Sequence, residues 1–259
     1  MDNLIFSILI EPKEWKNSKK RQYFKNKDIL RKSKEAYAKH VNADFLLFEE
    51  DWQFEVFKNQ YGKYNLSEHE LINHYKVYLL NSNSDFYKNV LYLDFDVVWA
   101  NLEMNIFNEF DLDNKFLVSK TTREDVGWLN IGKKETAYKI LNKKVLDKWW
   151  FNTGVMGASR KVMNQLNYFQ YFDIIIEKLD DLYNNKGWPN IGYSNEIFFS
   201  YINEFVDVDW ENIEYDSYWH RVTNGVPKHD KKCVFLHLRA AKDFKYLNET
   251  FISNRIKHD

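Results

Sequence analysis

The chain has 259 residues with 37 basic and 38 acidic side chains, so its charge gives no reason to expect a nucleic-acid partner. Its hydrophobic content of 44% is enough for the core of one large domain. No segment approaches the roughly 20 consecutive apolar residues of a membrane span. Cys233 is the only cysteine, which excludes a disulfide within the chain and favours a reducing compartment. We therefore expect a cytoplasmic protein.

The first hundred residues alternate between apolar strands and amphipathic helical patterns. The predicted elements are, in chain order, a strand at 4–10, a helical pattern within 14–40, a strand at 43–48, a helix capped by Ser67 and ending near 81–84, and a strand at 90–99. Residues 49–63 are aromatic and irregular and give no prediction. The β-α-β-α-β order predicts a mostly parallel, doubly wound sheet in an α/β fold.

The rest of the chain continues with shorter elements. We predict a strand at 116–119, a charged loop with a short helix at 121–148, a strand at 149–157, a helix from Ser159 toward 181, a loop at 187–192, a helix at 194–203, a short strand at 206–208 and a last strand at 234–238. No repeat and no low-complexity linker divides the sequence. We therefore expect one domain over residues 1–259.

The most informative segment is the run at 90–99, which reads VLYLDFDVVW. Such an apolar run predicts a strand buried on both faces, and residues two apart on a strand point the same way. Asp94 and Asp96 should therefore form one acidic pair. Because buried like charges are costly without a cation, the pair predicts a bound divalent metal, Mn²⁺ or Mg²⁺. The alternatives are a solvated strand end and a pair neutralised by salt bridges.

A histidine and several cations lie at the end of the predicted last strand. His237 stands in the sequence FLHLR, and imidazole beside carboxylates suits Mn²⁺ better than Mg²⁺, although a histidine on a strand is often structural. Arg239, Lys242 and Lys245 follow closely. Cations near a metal can neutralise a diphosphate, and the alternative for these three is a solvated surface.

Two further segments place polar groups beside apolar ones. In Asn152-Thr153-Gly154, the glycine lies within a predicted strand, where it marks either the close approach of a ligand or backbone, or a β-bulge. Asn195 and Glu196 open a predicted helix. They serve either as capping groups or as an amide and a carboxylate that face an acceptor.

These motifs, in this order, resemble the nucleotide-sugar glycosyltransferases of the GT-A fold. The stretches that carry the resemblance are the helix bearing Lys76, LYLDFDVVW, FNTGVMGAS, SNEIFFSYI and FLHLRAAK, which span roughly residues 66–245. Their order is most similar to the glycogenin and galactinol synthase type, glycosyltransferase family 8, with its bacterial and viral relatives. The resemblance implies a Rossmann-like GT-A domain, with a nucleotide-binding half at 1–100 and an acceptor-binding half at 101–259.

The resemblance also implies roles for the residues that bind the donor. Asp94 would contact the ribose or a metal-bound water and belong to the metal site. Asp96 would bind the metal directly, and His237 would be the third ligand. Lys76 would lie close to the donor, and Lys242 would hold its diphosphate.

On the sugar side, the resemblance implies that Asn152, Thr153 and Gly154 line the sugar and acceptor region. Asn195 and Glu196 occupy the place of the family's Asp-Gln pair, and they are the implied catalytic residues. The chain departs from the family in that pair. It departs also in the spacing from His237 to the lysine, which is one residue shorter, and in the missing Pro-Trp after it.

The implied activity is transfer of a sugar from a nucleoside diphosphate sugar, with UDP favoured and GDP possible, to a hydroxyl of a glycan or glycoprotein. Retention of configuration is favoured. An inverting route would need a base, for which Glu196 is the candidate. If the chain is viral, as its abundance of Lys, Asn, Ile and Tyr suggests, the expected location is the host cytoplasm.

Three other classes compete with this interpretation. A nucleotidyltransferase would need a glycine-rich basic loop after the first strand, but residues 11–15 contain no glycine. A phosphatase of the Asp-x-Asp type usually carries its nucleophile after the first strand, whereas the motif of this chain stands at Asp94 and Asp96, so this class is disfavoured. A non-catalytic sugar-binding module is disfavoured by the complete set of Asp94, Asp96 and His237.

Overall fold

Residues of the first strand alternate between two apolar clusters, which places this strand inside a sheet covered on both faces. In the computed structural model, Leu4 and Phe6 pack into one cluster and Ile5 into the other. Strand-forming residues of this kind bury both faces only when helices cover the two sides of the sheet. The residues that the structure describes are 2–13, 22–49, 52–64, 66–100, 103–121, 150–177, 195–202, 206–213, 219–222 and 233–238.

The described strands form two sheets. In chain order they are β1 (Asn3–Leu9), β2 (Asp44–Glu49), β3 (Asn89–Leu93), β4 (Val97–Trp99), β5 (Lys115–Thr121), β6 (Trp150–Ser159), β7 (Asp209–Asn212), β8 (His220–Val222) and β9 (Phe235–His237). Within the described residues, the larger sheet has the order β2-β1-β3-β6-β5-β7 and the smaller one β4-β9-β8.

The larger sheet is mostly parallel. Strand β1 pairs in parallel with β2 and β3, and β5 pairs in parallel with β7. Strand β6 is antiparallel to both of its neighbours, β3 and β5. The predicted α/β class with a mostly parallel central sheet is therefore confirmed.

Helices cover both faces of this sheet. They are α1 (Gln22–Lys25), α2 (Lys27–His40), α3 (Trp52–Tyr61), α4 (Glu68–Asn83), α5 (Ile106–Glu109), α6 (Arg160–Leu166) and α7 (Asn195–Ile202), with 3-10 turns at Gly62–Tyr64 and Tyr168–Tyr171 and further helical residues at 172–177. Helix α4 packs Tyr75 into the cluster of Phe6, and α2 packs Tyr37 into the cluster of Ile5. None of the described helices is long and apolar enough to cross a membrane.

The predicted start of α4 is confirmed by its capping contacts. The Ser67 hydroxyl accepts a hydrogen bond from the Glu70 amide, and the Glu70 carboxylate accepts one from the Ser67 amide at 2.8 Å. This capping box satisfies two amide groups that have no partner within the helix. It fixes the first turn of the helix that carries Lys76.

Several predicted boundaries are wrong. Helix α3 was not predicted, because an aromatic segment hides the helical spacing that buries Phe54 and Phe57. The helix that Ser159 caps ends at Leu166 rather than near 181, because Asn167 adopts a left-handed conformation with φ of 42°. The strand expected at 206–208 lies instead at β7, where it pairs with β5. Of the charged loop with a short helix predicted at 121–148, residue 121 belongs to β5 and the rest lies outside the described residues, as does the loop predicted at 187–192.

The prediction of one strand over 90–99 is also wrong. The run divides into β3 and β4, which belong to different sheets, with residues 94–96 between them. Both halves are apolar and neither glycine nor proline marks the break, so the local pattern cannot reveal it. Asp94 and Asp96 therefore meet through a turn and not through the pleat of a strand.

Replacing Ser67 with alanine should lower the free energy of unfolding by about 1 kcal/mol, because it removes one half of the capping box. Urea denaturation followed by far-UV circular dichroism measures this loss. Ser82→Ala at the other end of α4, where the hydroxyl donates to the Leu79 carbonyl, is the matched control. An equal effect of the two substitutions would contradict a specific capping role.

Candidate active site

The acidic motif lies where the chain leaves the larger sheet for the smaller one. The Val97 amide donates to the Asp94 carbonyl at 2.9 Å and closes a turn over residues 94–96. The Asp94 amide donates to the Gly154 carbonyl at 2.7 Å, which ties the turn to β6. The two aspartates thus follow the carboxyl end of β3, the edge at which open α/β sheets bind their ligands.

His237 reaches the aspartates because β9 pairs with β4. Val97 lies opposite His237 in that antiparallel pair, and the Leu238 amide donates to the Asp96 carbonyl at 2.9 Å. The His237 Nε2 atom lies 3.2 Å from Asp96 Oδ1 and 3.8 Å from Asp94 Oδ2. One ligand atom from each of the three side chains falls within 4.8 Å of the others. The structure therefore brings together the three predicted metal ligands.

The chemistry of this donor set fits a divalent ion. An octahedral ion with donors at about 2.1 Å separates neighbouring donors by roughly 3 Å. The distance of 3.2 Å between His237 and Asp96 matches that separation, and the contact to Asp94 needs only a small closure. Two carboxylates with one imidazole suit Mn²⁺ better than Mg²⁺.

Asp94 lies among hydrogen-bond donors and cations. The Tyr92 hydroxyl donates to its Oδ1 at 2.5 Å, and Lys76 Nζ lies 3.3 Å from the same oxygen. Burial alone would raise the pKa of the Asp94 carboxyl. The charges of Lys76 and His237, with hydrogen bonds from Tyr92 and Lys76, outweigh burial and lower that pKa below its usual range. Asp94 is therefore an ionised carboxylate at neutral pH.

Tyr92 was not predicted as a site residue. Burial, followed by the charge of Asp94, raises the pKa of its phenol well above the ordinary value, so Tyr92 stays protonated and keeps donating. The signal was present in the motif, because Tyr92 precedes Asp94 by two residues and strand residues at that spacing point the same way.

Gly154 allows β6 to pass directly against the His237 ring. A Cβ at this position would lie 2.7 Å from His237 Cε1 and 2.9 Å from Nδ1, closer than real contacts allow. The Asn152 side chain accepts a hydrogen bond from the Gly154 amide at 3.0 Å. The pairing of β5 with β6 also shifts between Val118 and Ser119, leaving residues 153–155 of β6 without partners on β5. Of the two explanations weighed for this glycine, the bulge is present, and the group that approaches closely is a side chain, the His237 ring, and not a backbone.

Contacts continue from Lys76 to the start of α7. Lys76 Nζ donates to the Thr153 carbonyl at 3.4 Å, and the Thr153 hydroxyl donates to Asn195 Oδ1 at 2.9 Å. The Asn195 side chain is buried, and no described residue accepts a hydrogen bond from its amide nitrogen. Glu196 is the next residue of α7 and is half-buried. Lys242 lies outside the described residues.

A cavity of about 200 Å³ opens beside the acidic turn. Its walls are apolar residues 8–10 at and just after the end of β1, Phe24 of α1, a face of α4 that carries polar as well as apolar side chains, and the turn itself. A concave site that combines apolar walls with a few convergent polar groups is typical of small-molecule binding.

Comparisons with known proteins show the fold. No protein-family model and no curated protein matches the sequence. Among solved structures, an active-site mutant of the galactosyltransferase LgtC is similar, with 13% identity, 96% of each chain covered and a TM-score of 0.54. Mouse xyloside xylosyltransferase 1 shares 11% identity over 93% of this chain and 99% of that chain, with a TM-score of 0.52.

A glycosyltransferase involved in glycosylation of the major capsid of PBCV-1 aligns over 100% of this chain and 98% of that chain, at 18% identity and a TM-score of 0.49. The likeness to the two structures with higher scores confirms the GT-A glycosyltransferase fold that the motifs predicted.

Substituting Gly154 with alanine should displace the His237 ring and weaken Mn²⁺ binding about tenfold, the usual cost of disturbing a metal ligand's surroundings. Isothermal titration calorimetry with MnCl₂ measures the change. Gly62→Ala, where an added Cβ meets nothing closer than 4.0 Å, is the matched control. Unchanged Mn²⁺ affinity in Gly154→Ala would show that His237 is not a ligand.

Proposed function

We propose that this protein is a metal-dependent glycosyltransferase that moves a sugar from a nucleoside diphosphate sugar to a hydroxyl acceptor. The observation that carries the proposal is the cluster of Asp94, Asp96 and His237 at the carboxyl end of β3, in a chain with the GT-A fold. A fold alone does not define an activity. The cluster adds a set of side chains that can bind a divalent ion, which a metal-dependent transfer requires.

The donor site is assigned to the first half of the chain, residues 1–100. The cavity beside the acidic turn offers apolar residues of β1 and α1 to the flat face of a nucleobase, and it ends at Asp94 and Asp96. With a metal ion on those carboxylates, such a cavity would match a ligand that has a flat ring at one end and an anionic group at the other. A UDP-sugar is the favoured donor and a GDP-sugar the alternative.

Asp94, Asp96 and His237 would hold Mn²⁺, with Mg²⁺ as the alternative, and a bound ion neutralises the negative charge that develops on a departing diphosphate. The side chains have distinct tasks around it. Asp96 and His237 face each other at 3.2 Å and are assigned as direct ligands. Asp94, held by Tyr92, is assigned to the ion and the ribose. Lys76 contributes a buried cation beside the diphosphate, and Lys242 is proposed as a second one.

The sugar and acceptor region is assigned to the second half of the chain, residues 101–259. Asn152 and Gly154 shape the wall of β6, and Thr153 orients the Asn195 amide, whose nitrogen has no partner in the part of the chain that the structure describes and would donate to a sugar oxygen. That hydrogen bond from Asn195 would orient the sugar, and in a retaining reaction the Glu196 carboxylate would stabilise the positively charged sugar centre of the transition state. We favour retention of configuration, by resemblance to the glycogenin type. Glu196 is the candidate base if the reaction inverts.

The acceptor that we propose is a hydroxyl of a glycan or glycoprotein. The test is incubation of the protein with UDP- and GDP-sugars and Mn²⁺, with release of the nucleoside diphosphate as the measurement. Release from at least one donor is expected, and it should stop when EDTA removes the metal. Absence of both nucleotide release and nucleotide binding across the panel would overturn the proposal.

Asp96→Ala should abolish Mn²⁺-dependent nucleotide binding and release, because it removes a direct ligand and leaves His237 without its nearest carboxylate. Both activities are measured with the donor identified in the panel. Asp173→Ala, which removes a carboxylate that is 61% exposed and 3.9 Å from Lys63, is the control and should behave as wild type. Full activity of Asp96→Ala would show that the metal lies elsewhere.

Asn195→Ala should lower kcat/KM for transfer roughly tenfold, the worth of about one hydrogen bond to a reacting group. Steady-state kinetics with the preferred donor measure this loss. Asn114→Ala, which removes an exposed amide bonded to Asp111, is the control. Unchanged kcat/KM for Asn195→Ala would exclude a role for that amide in the reaction.

A further inference from the structure

A fully buried lysine lies behind the acidic turn. Lys34 points inward from α2, and its Nζ atom donates to the Phe95 carbonyl at 2.7 Å and to the Leu30 carbonyl at 3.3 Å. The same atom lies 5.0 Å from the centroid of the Phe95 ring. Phe95 is the residue between the two aspartates, so Lys34 contacts the turn at its centre and does not contact either carboxylate directly.

Lys34 completes the hydrogen bonding of the turn. The Asp94 carbonyl accepts from the Val97 amide, and the Asp96 carbonyl accepts from the Leu238 amide, both at 2.9 Å. The Phe95 carbonyl between them accepts from the lysine side chain. Three consecutive carbonyls are thus held by three separate segments of the chain, and a buried carbonyl without a donor would favour rearrangement of the turn.

Burying the amine of Lys34 costs free energy, which indicates that this side chain has a role beyond packing. Burial lowers the pKa of Lys34 to about 7, against the opposing charges of Asp96 and Asp94. An apolar side chain of the same length would fill the site without that cost, because buried ions can often be replaced by hydrophobic residues. Both protonation states of the amine carry N–H donors, so its bond to Phe95 does not depend on charge.

We propose that Lys34 is a positioning residue, which holds the Phe95 carbonyl and thereby keeps Asp94 and Asp96 in the geometry that binds a divalent ion. The inference rests on the metal site of the proposed function, and it deepens that site. The supporting residues around metal ligands orient them, and losing one typically weakens metal affinity by about ten- to a hundredfold.

A positioning role and a purely electrostatic role predict opposite results. If Lys34 acts only as a positive charge near the site, removing it should strengthen the binding of a cation. If Lys34 positions the turn, removing it should weaken Mn²⁺ binding, because the two carboxylates are then no longer held in the geometry that binds the ion. The sign of the change in Mn²⁺ affinity therefore separates the two roles.

The experiment is isothermal titration calorimetry of MnCl₂ into wild type and Lys34→Met, with no nucleotide present. We expect Mn²⁺ affinity to fall about tenfold in Lys34→Met. Unchanged or stronger binding would overturn the proposal. Wild type that fails to bind Mn²⁺ would overturn the proposed metal site as well, whereas equal binding by wild type and variant would overturn only the role of Lys34.

Two further variants make the result independent of folding. Ser33→Ala removes a buried hydroxyl on the same helix that accepts from the Trp99 amide at 2.9 Å, outside the acidic turn. Ser33→Ala should lower the melting temperature and leave Mn²⁺ affinity unchanged. If Ser33→Ala lowers Mn²⁺ affinity as much as Lys34→Met does, the effect of Lys34 is one of general packing and the proposal is overturned. If Lys34→Met does not fold, Lys34→Gln replaces it, because the shorter glutamine amide does not reach the Phe95 carbonyl. Mn²⁺ affinity should fall about tenfold in Lys34→Gln as well. Unchanged affinity in that variant would overturn the proposal.

Discussion

The close approach of two carboxylates in one turn is the constraint on which the rest of the site depends. Asp94 and Asp96 are 25% and 18% exposed, so water screens their repulsion only in part. Lys76, Lys34 and the His237 ring surround them, and each comes from a different element of the fold. Hydrogen-bond donors and positive charge around the turn offset part of that repulsion, and the two carboxylates remain the groups that would attract a divalent cation.

The turn also explains the arrangement of the two sheets. Strand β3 belongs to the larger sheet and β4 to the smaller one, so the carboxylates stand at the junction between them. Pairing of β4 with β9 carries His237 to the junction, and β6 passes behind the imidazole ring because Gly154 has no side chain. The site is therefore built on a turn that paired strands hold on both sides, which is the support that metal ligands require.

Much of this arrangement could be predicted from local patterns. The start of β3, the cap of α4 by Ser67 and the α/β class all follow from periodicity and capping chemistry, which act between neighbouring residues. The break between β3 and β4, helix α3 and strand β8 could not be predicted in this way. Their formation depends on pairing and packing with distant segments, and a short apolar run is compatible with either a continued strand or a turn.

The sequence by itself determined the chemical groups of the site: two carboxylates one residue apart, a histidine in a late strand, a lysine before the motif and a glycine in a strand. It determined them because residue type fixes which groups can bind a cation or an anion. Only the tertiary structure decided which of these groups meet. It joined Tyr92 and Lys34 to the site and tied Asn195 to it through the Thr153 hydroxyl. The reason is that hydrogen bonds between distant segments, and not local preference, set the shape of the turn.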